Sequence, residues 1–355
     1  MVKRSLSDQL DEAVDATMKD PNAPSQRISP RIDALLRVAA ELRGLPSAEF
    51  KARLKAELLA DSPAAHQPVD RPTTPPKIAA HDVRNALGDL NVLSWRELTR
   101  FNDCAVGVFR FSGLTPWERH TGGDELIYAL DGDVDLMTLT DDGPVQSTLR
   151  QGSCFVCPRG LWHRQLAERP VTHLYAVPSH TTQISRADDP RREDPAAVAA
   201  YTEQLRREHP DMFGSPARAE RLPAGTDDRR PGPAVKDRLV AHDVAAAFED
   251  LPDWSMRFLA SMDNCTIGVS RYSRLPHWER HPDGDELLYI VDGGLDVTTL
   301  TDDGPVNSVV NAGSVFVCPK GLWHFPRPRP HVSMLFVTPG KGSEISDADD
   351  PRRQA

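Results

Sequence analysis

The chain has 355 residues, 39% of them hydrophobic and 26% charged, enough for two or three domains with cores of their own and ordinary for a globular protein. A net charge of -10 argues against non-specific nucleic-acid binding, which needs basic surface to displace counterions. No apolar run approaches the roughly 20 residues of a membrane span, so neither nucleic acid nor membrane is an expected partner.

The first residues, MVKRSLSDQLDEAVDATM, hold basic side chains but no apolar stretch of a secretion signal. The odd set of cysteines, Cys104, Cys154, Cys157, Cys265 and Cys318, then reads as reduced thiols in a cytoplasmic protein. Residues 1–60 read as a helical extension. Ser29 caps a helix with Pro30 at its first position; Ile32, Leu35, Leu36, Ala39 and Leu42 form its apolar stripe, and Gly44 ends it. Ser47 caps a second helix through AEFKARLKAELLA. With no Cys and no His before His66, this segment suits homo-oligomer formation or a partner better than a metal. Residues 61–79 form a Pro-rich linker.

From residue 80 the pattern changes to short apolar runs separated by turns. Residues 80–192 form one domain, mostly strand, with Asp131-Gly132 and Asp142-Gly143 as hairpin signals. Residues 193–240 hold a helix from Pro195 to about Arg207, then a Pro/Gly-rich tether. Residues 241–355 repeat the first domain at a constant offset of 161. WERHTGGDELIYALDG from Trp117 returns as WERHPDGDELLYIVDG from Trp278, and FVCPRGLWH from Phe155 as FVCPKGLWH from Phe316. Two copies of so long a unit make tandem domains, not a solenoid. Regularly spaced short strands suggest a sandwich or closed barrel in each.

The repeated stretches concentrate metal-binding side chains. Glu118 and His120 are two apart on a strand and share a face. Glu125 opens the next strand, and a Pro158/Gly160 turn presents His163. The same four recur as Glu279, His281, Glu286 and His324. The C-x-x-C of Cys154 and Cys157 has no second copy, because Val315 replaces the first Cys, and is expected to be buried core.

These motifs resemble the cupin superfamily, and the chain resembles a bicupin with a helical N-terminal extension. The family's first motif is G-x5-H-x-H-x3-4-E-x6-G and its second G-x5-P-x-G-x2-H-x3-N. GSCFVCPRGLWH from Gly152 and GSVFVCPKGLWH from Gly313 match the second motif through its His. The resemblance implies a mainly β fold of two double-stranded β-helix (jelly-roll) barrels. It also implies one divalent metal in each: His120, Glu125 and His163 match three of four ligands, as do His281, Glu286 and His324. Glu118 and Glu279 replace the usual first His, either as ligands or as bases. Gly113 is displaced from the motif's first Gly and Arg274 stands at its second-copy equivalent, while Ala167 and Pro328 replace the terminal Asn.

Two imidazoles and two carboxylates favour Fe²⁺ or Mn²⁺, with Zn²⁺ and Ni²⁺ as alternatives. The leading expectation is a metal-dependent enzyme on a small-molecule substrate, an organic acid or phenol, of dioxygenase type. The alternatives are a non-redox isomerase, decarboxylase or hydrolase and a ligand-binding or sensor protein. Trp117, Trp162, Trp278 and Trp323 flank the ligands and are expected to pack away from them. Arg110 and Arg271 either clamp a carboxylate substrate or face solvent. Tyr128 and Tyr289 are core or interface aromatics unless they donate a proton. The copies differ just after the last His, Arg164-Gln165 against Phe325-Pro326, where specificity can reside.

Overall fold

The computed structural model describes residues 78–88, 90–209 and 235–354. The helices expected within residues 1–60, and the linker up to residue 77, lie outside them. The described chain is mainly β, in antiparallel sheets of ten and nine strands, one for each barrel.

In the first barrel the long strand Trp162–Val177 is the spine. It pairs with Cys104–Leu114, Glu125–Asp131 and Val134–Thr140, and at one point with Trp117–His120. Ser153–Cys157 is buried at every position, whereas Gly143–Leu149 alternates between half-buried and exposed residues until its last, Leu149, which enters the core. Phe111, Ile127, Leu136, Leu149 and Phe155 fill this barrel. Leu288, Ile290, Leu295, Val310 and Phe316 fill the other.

The two Asp-Gly pairs have different fates. Asp142-Gly143 is a hairpin turn, with Thr140 opposite Gly143. Asp131-Gly132 is not. Its flanking strands bond to other strands, and in the second barrel the equivalent segment is one strand, Glu286–Thr301, with register shifts around Asp292 and Gly293. Gly132 and Gly293 have φ of 79° and 76°, and a Cβ on Gly293 would collide with the His331 carbonyl. The glycine bends a continuing strand past a close backbone neighbour instead of reversing it.

The start of each repeat serves the other barrel. His81–Asp82 pairs with Val315 and Ser314, and His242–Asp243 pairs with Cys154 and Ser153. The short helices behind these arms, Val83–Leu87 and Val244–Phe248, are capped by the Asp82 and Asp243 carboxylates. They join one apolar core between the barrels, in which Val83 and Ala86 pack with Val106, Val269 and Phe248. Tyr128 and Tyr289 meet in it, ring centroids 5.2 Å apart, as interface aromatics.

The helix Pro195–Glu208 starts with the Asp194 cap and Pro at its first turn. It packs on strand Thr182–Ser185, where the Ile184 amide donates to the Thr202 hydroxyl at 2.9 Å. Its Val198 joins Trp117, Trp162 and Leu139 in a small cluster, so these two tryptophans pack outside the barrel interior.

Candidate metal centres

Each barrel gathers its four sequence-selected side chains. Strand Trp117–His120 carries Glu118 and His120, strand Glu125–Asp131 begins at Glu125, and Glu118 lies opposite His163 in register. The ligand atoms of Glu118, His120 and His163 lie within 4.8 Å of one another. Glu125 Oε2 sits 3.2 Å from His120 Nε2 and 3.0 Å from His163 Nε2. In the second barrel Glu279, His281, Glu286 and His324 form one group within 4.8 Å. The imidazole centroids are 5.3 Å apart in both barrels.

The outer ring nitrogens fix the orientation. His163 Nδ1 donates to the Leu161 carbonyl and His324 Nδ1 to the Leu322 carbonyl, each at 3.2 Å. A carbonyl only accepts, so in the neutral ring the proton is on Nδ1 and the Nε2 lone pair points inward. His120 Nδ1 bonds the Thr182 hydroxyl and His281 Nδ1 the Ser343 hydroxyl, both at 2.9 Å. The Nε2 atoms of His163, His281 and His324 are buried without a hydrogen bond among the described residues. Carboxylate oxygens are close to them but off the hydrogen-bonding direction. Buried lone pairs and carboxylates facing one centre fit a cation and little else.

The electrostatics agree. Burial, and then the charge of Glu125, pushes the Glu118 carboxyl up from its ordinary value. Burial would also raise Glu125 and Glu286, but the two histidines beside each hold it below the usual carboxylate range. Burial works against the charged form of His163 and His324, yet the adjacent Cys157 and Cys318 and the carboxylates raise both. Crowded negative charge of this kind is what a divalent ion relieves.

The cysteines were visible in the sequence only as core residues. Cys157 lies opposite Glu125 and Cys318 opposite Glu286. The Cys157 sulfur falls within 4.8 Å of the Glu125 and His163 ligand atoms. Burial pushes both thiols up to about 11, so they are neutral contacts. Their recurrence at the 161 offset was the available signal. Arg271 is spent on the Ser333 hydroxyl and the Leu251 carbonyl, and neither Arg271 nor Arg110 lines the first barrel's cavity.

That cavity lies beside Glu118, His120 and Glu125 and is open to solvent. Trp95, Phe109 and Tyr175 line it, with His173 and Gln165. Apart from Gln165, singled out where the copies diverge, these positions were not marked by the motifs. None repeats: at the 161 offset stand Met256, Ser270, Phe336, Met334 and Pro326.

A family model described as cupin matches residues 78–189 and 271–339. A putative germin-like protein 3-2 from Oryza sativa subsp. japonica is 33% identical over 97 residues, 26% of this chain and 41% of its own length. The match therefore spans less than half of the rice protein. Among solved structures, a variant of the Bacillus subtilis oxalate decarboxylase is 16% identical, with a TM-score of 0.49 over 79% of this chain and 80% of that one. Another structure of that enzyme, concerned with its Mn(II) centres, is 15% identical, with a TM-score of 0.46 over 79% and 80% of the two chains.

Proposed function

The chain belongs to the cupin family, and from that premise we propose that it is a metal-dependent oxidoreductase of dioxygenase type, acting on a small organic substrate in its first barrel. Glu118, His120, Glu125 and His163 hold one divalent ion in this reading, and Glu279, His281, Glu286 and His324 a second. The two carboxylates would balance the charge of a divalent ion held by these four side chains, with the cavity beside them giving a small substrate access to it. The oxygen-rich donor set favours Fe²⁺ or Mn²⁺. Such an ion would supply the redox chemistry. Both atoms of O₂ enter the product of a dioxygenase, so no external reductant is required.

The observation that carries the reading is the cavity. A metal with a structural role needs no open volume beside it. Here Glu118, His120 and Glu125 share an open cavity with aromatic walls. The described cysteines are all unpaired, which supports a cytoplasmic enzyme. One observation favours a second, non-redox reading. His173 lines the cavity, and burial lowers its imidazole to about 4, leaving a neutral ring that can hydrogen-bond and orient a substrate with no redox step.

Elemental analysis of protein purified without added metal gives the ion. Oxygen uptake is then followed with Fe²⁺-, Mn²⁺- and Zn²⁺-loaded protein against a panel of small phenols and hydroxy compounds. Uptake with Fe²⁺ or Mn²⁺ and none with Zn²⁺ is expected. Turnover that is equal with Zn²⁺ and consumes no O₂ would replace this reading with the isomerase or decarboxylase one.

A further inference from the structure

Two polar side chains in the first barrel's cavity each leave a buried atom without a hydrogen bond among the described residues. Gln165 is 2% exposed, and its Oε1 is buried with no hydrogen bond among the described residues. Gln165 helps hold the Glu118 carboxylate, an acceptor, in its charged form, so its NH₂ end is directed there and its carbonyl end is free. His173 is 3% exposed, and its Nδ1 is likewise buried and unpartnered. Leaving such atoms unpaired in a buried site is unfavourable. Both side chains line the same cavity. The second barrel has Pro326 and Met334 at these positions, which ask for no hydrogen bond.

The remaining lining narrows the ligand. Trp95 and Phe109 are 6.3 Å apart at their ring centroids, and Phe109 stacks on Phe111 at 4.9 Å and tilts against His173 at 5.3 Å. Tyr175 stands over Gly107, where a Cβ would lie 2.5 Å from its hydroxyl, so glycine makes room for that wall. Among the described residues no Lys or Arg lines the cavity, whereas Glu118 and Glu125 do. With the charges of Glu118 and Glu125 balanced by the ion they would hold, an anionic ligand would find no side-chain cation to clamp its charge. A flat, uncharged ring with a hydrogen-bond donor finds aromatic walls and a free acceptor.

We infer that this cavity binds a small neutral aromatic molecule bearing a hydroxyl group, which donates its O–H to Gln165 Oε1 while His173 supplies the second polar contact. This substrate class rests on the first barrel being the catalytic one. It extends that reading by assigning Gln165 and His173 as specificity residues, which barrel two lacks.

The test is binding, without turnover. Full-length protein is loaded with Zn²⁺, which cannot reduce O₂, and titrated calorimetrically with 4-ethylphenol, 4-ethylanisole and 4-ethylbenzoate. The phenol should bind roughly tenfold or more tightly than the anisole, which has lost its donor but keeps its ring. The benzoate should bind more weakly than the phenol. Gln165→Leu should cut phenol affinity about tenfold and leave anisole affinity unchanged. His173→Met should also weaken phenol binding; its ring packs on Phe109 and Phe111, and it is not one of the clustered ligand side chains. Metal content is measured on both variants, and if Gln165→Leu loses metal then His173→Met decides. Equal affinity for phenol and anisole, tighter binding of the benzoate, or unchanged phenol affinity in His173→Met would overturn the inference. Those results would leave metal-dependent oxygen uptake untouched. Phenol binding without oxygen uptake under any metal would instead remove the oxygenase reading and keep the assigned pocket.

Discussion

His173 stands where the second barrel has Met334, and the difference is one titrating site in a buried aromatic wall. Burial holds its imidazole at about 4, against 6.5 for the free group. Between those values the unfolded chain takes up a proton that the folded chain refuses, so stability is complete above about pH 6.5 and falls as pH drops toward 4. At pH 5 the loss from this residue is ~2 kcal/mol. His173→Met is therefore expected to flatten the fall in Tm between pH 7.5 and pH 5; the cluster carboxylates titrate in both proteins and cancel. Parallel curves for parent and variant would refute a buried neutral imidazole. The glutamates give a second residue-scale prediction. Glu118→Gln with Glu279→Gln keeps an oxygen donor and removes one charge per site, so metal per chain should fall while the metal-free melt is retained. Metal bound as tightly as in the parent would move both glutamates out of the coordination sphere and make them candidate bases. The cluster residues were legible because each recurs 161 residues on. Trp95, His173 and Tyr175 were not, because they occur in one copy and lie on strands whose motif says nothing about them.

The loops that deliver Glu125 and Glu286 are braced from the opposite barrel, and this sets expectations for whole elements. The Asp124 carboxylate accepts from the Arg159 amide at 2.7 Å and the Asp263 amide at 2.9 Å, and it pairs with Arg238. The Asp124 amide donates back to the Asp263 carboxylate. In the other direction the Asp285 carboxylate accepts from the Lys320 amide and the Asn102 amide, each at 2.7 Å, while Asn102 Oδ1 accepts from the Asp285 amide at 2.8 Å. Asn102 and Asp263 sit at hairpin turns with φ near 50°, a conformation Asn and Asp tolerate. Asp124→Ala strips a buried carboxylate from several donors and is expected to cost about 2–4 kcal/mol in denaturant unfolding. Asn102→Ala acts at an exposed turn and should cost less, ~1 kcal/mol. Its mark should be a loss of the second barrel's metal, read by metal analysis in a Glu118→Gln background. Retention of that metal would mean that the brace does not act across the interface. This coupling was hidden in the sequence because its partners are 139 and 183 residues apart. The misassigned Asp131-Gly132 turn has a related cause. A positive-φ glycine marks a reversal or a bulge equally well, and only distant strand pairing chooses between them.

At the scale of the molecule, the repeat in sequence and the barrel in space are different sets of residues, because each repeat's first strand and helix complete its neighbour. The repeat was plain from the constant offset; the exchange was not, since AHDV reads alike whichever barrel it joins. Removing residues 1–77 keeps both arms, and with them Ile78 and Ala80 against the second barrel's core. The shortened chain should therefore keep its cooperative melt and its metal. Cutting between the repeats should do something else. A fragment of residues 78–209 carries the arm His81–Asp82, whose partner strand Ser314–Cys318 is gone. It also exposes Tyr128 and the rest of the shared core. A second copy of the fragment offers equivalents of all of these, Ser153–Cys157 for the arm and its own Tyr128 for Tyr289. Two fragments related by a two-fold axis can thus rebuild the barrel pair, each lending its arm to the other, with Asn102 of one copy facing Asp124 of its mate. The fragment is expected to sediment as a dimer and to melt at a temperature that rises with concentration, as dissociation linked to unfolding requires. Placing a charge in the rebuilt core with Tyr128→Glu should yield monomer of lower stability. A fragment that is monomeric, with a concentration-independent melt as steep as the parent's, would show that one barrel folds without its neighbour's arm.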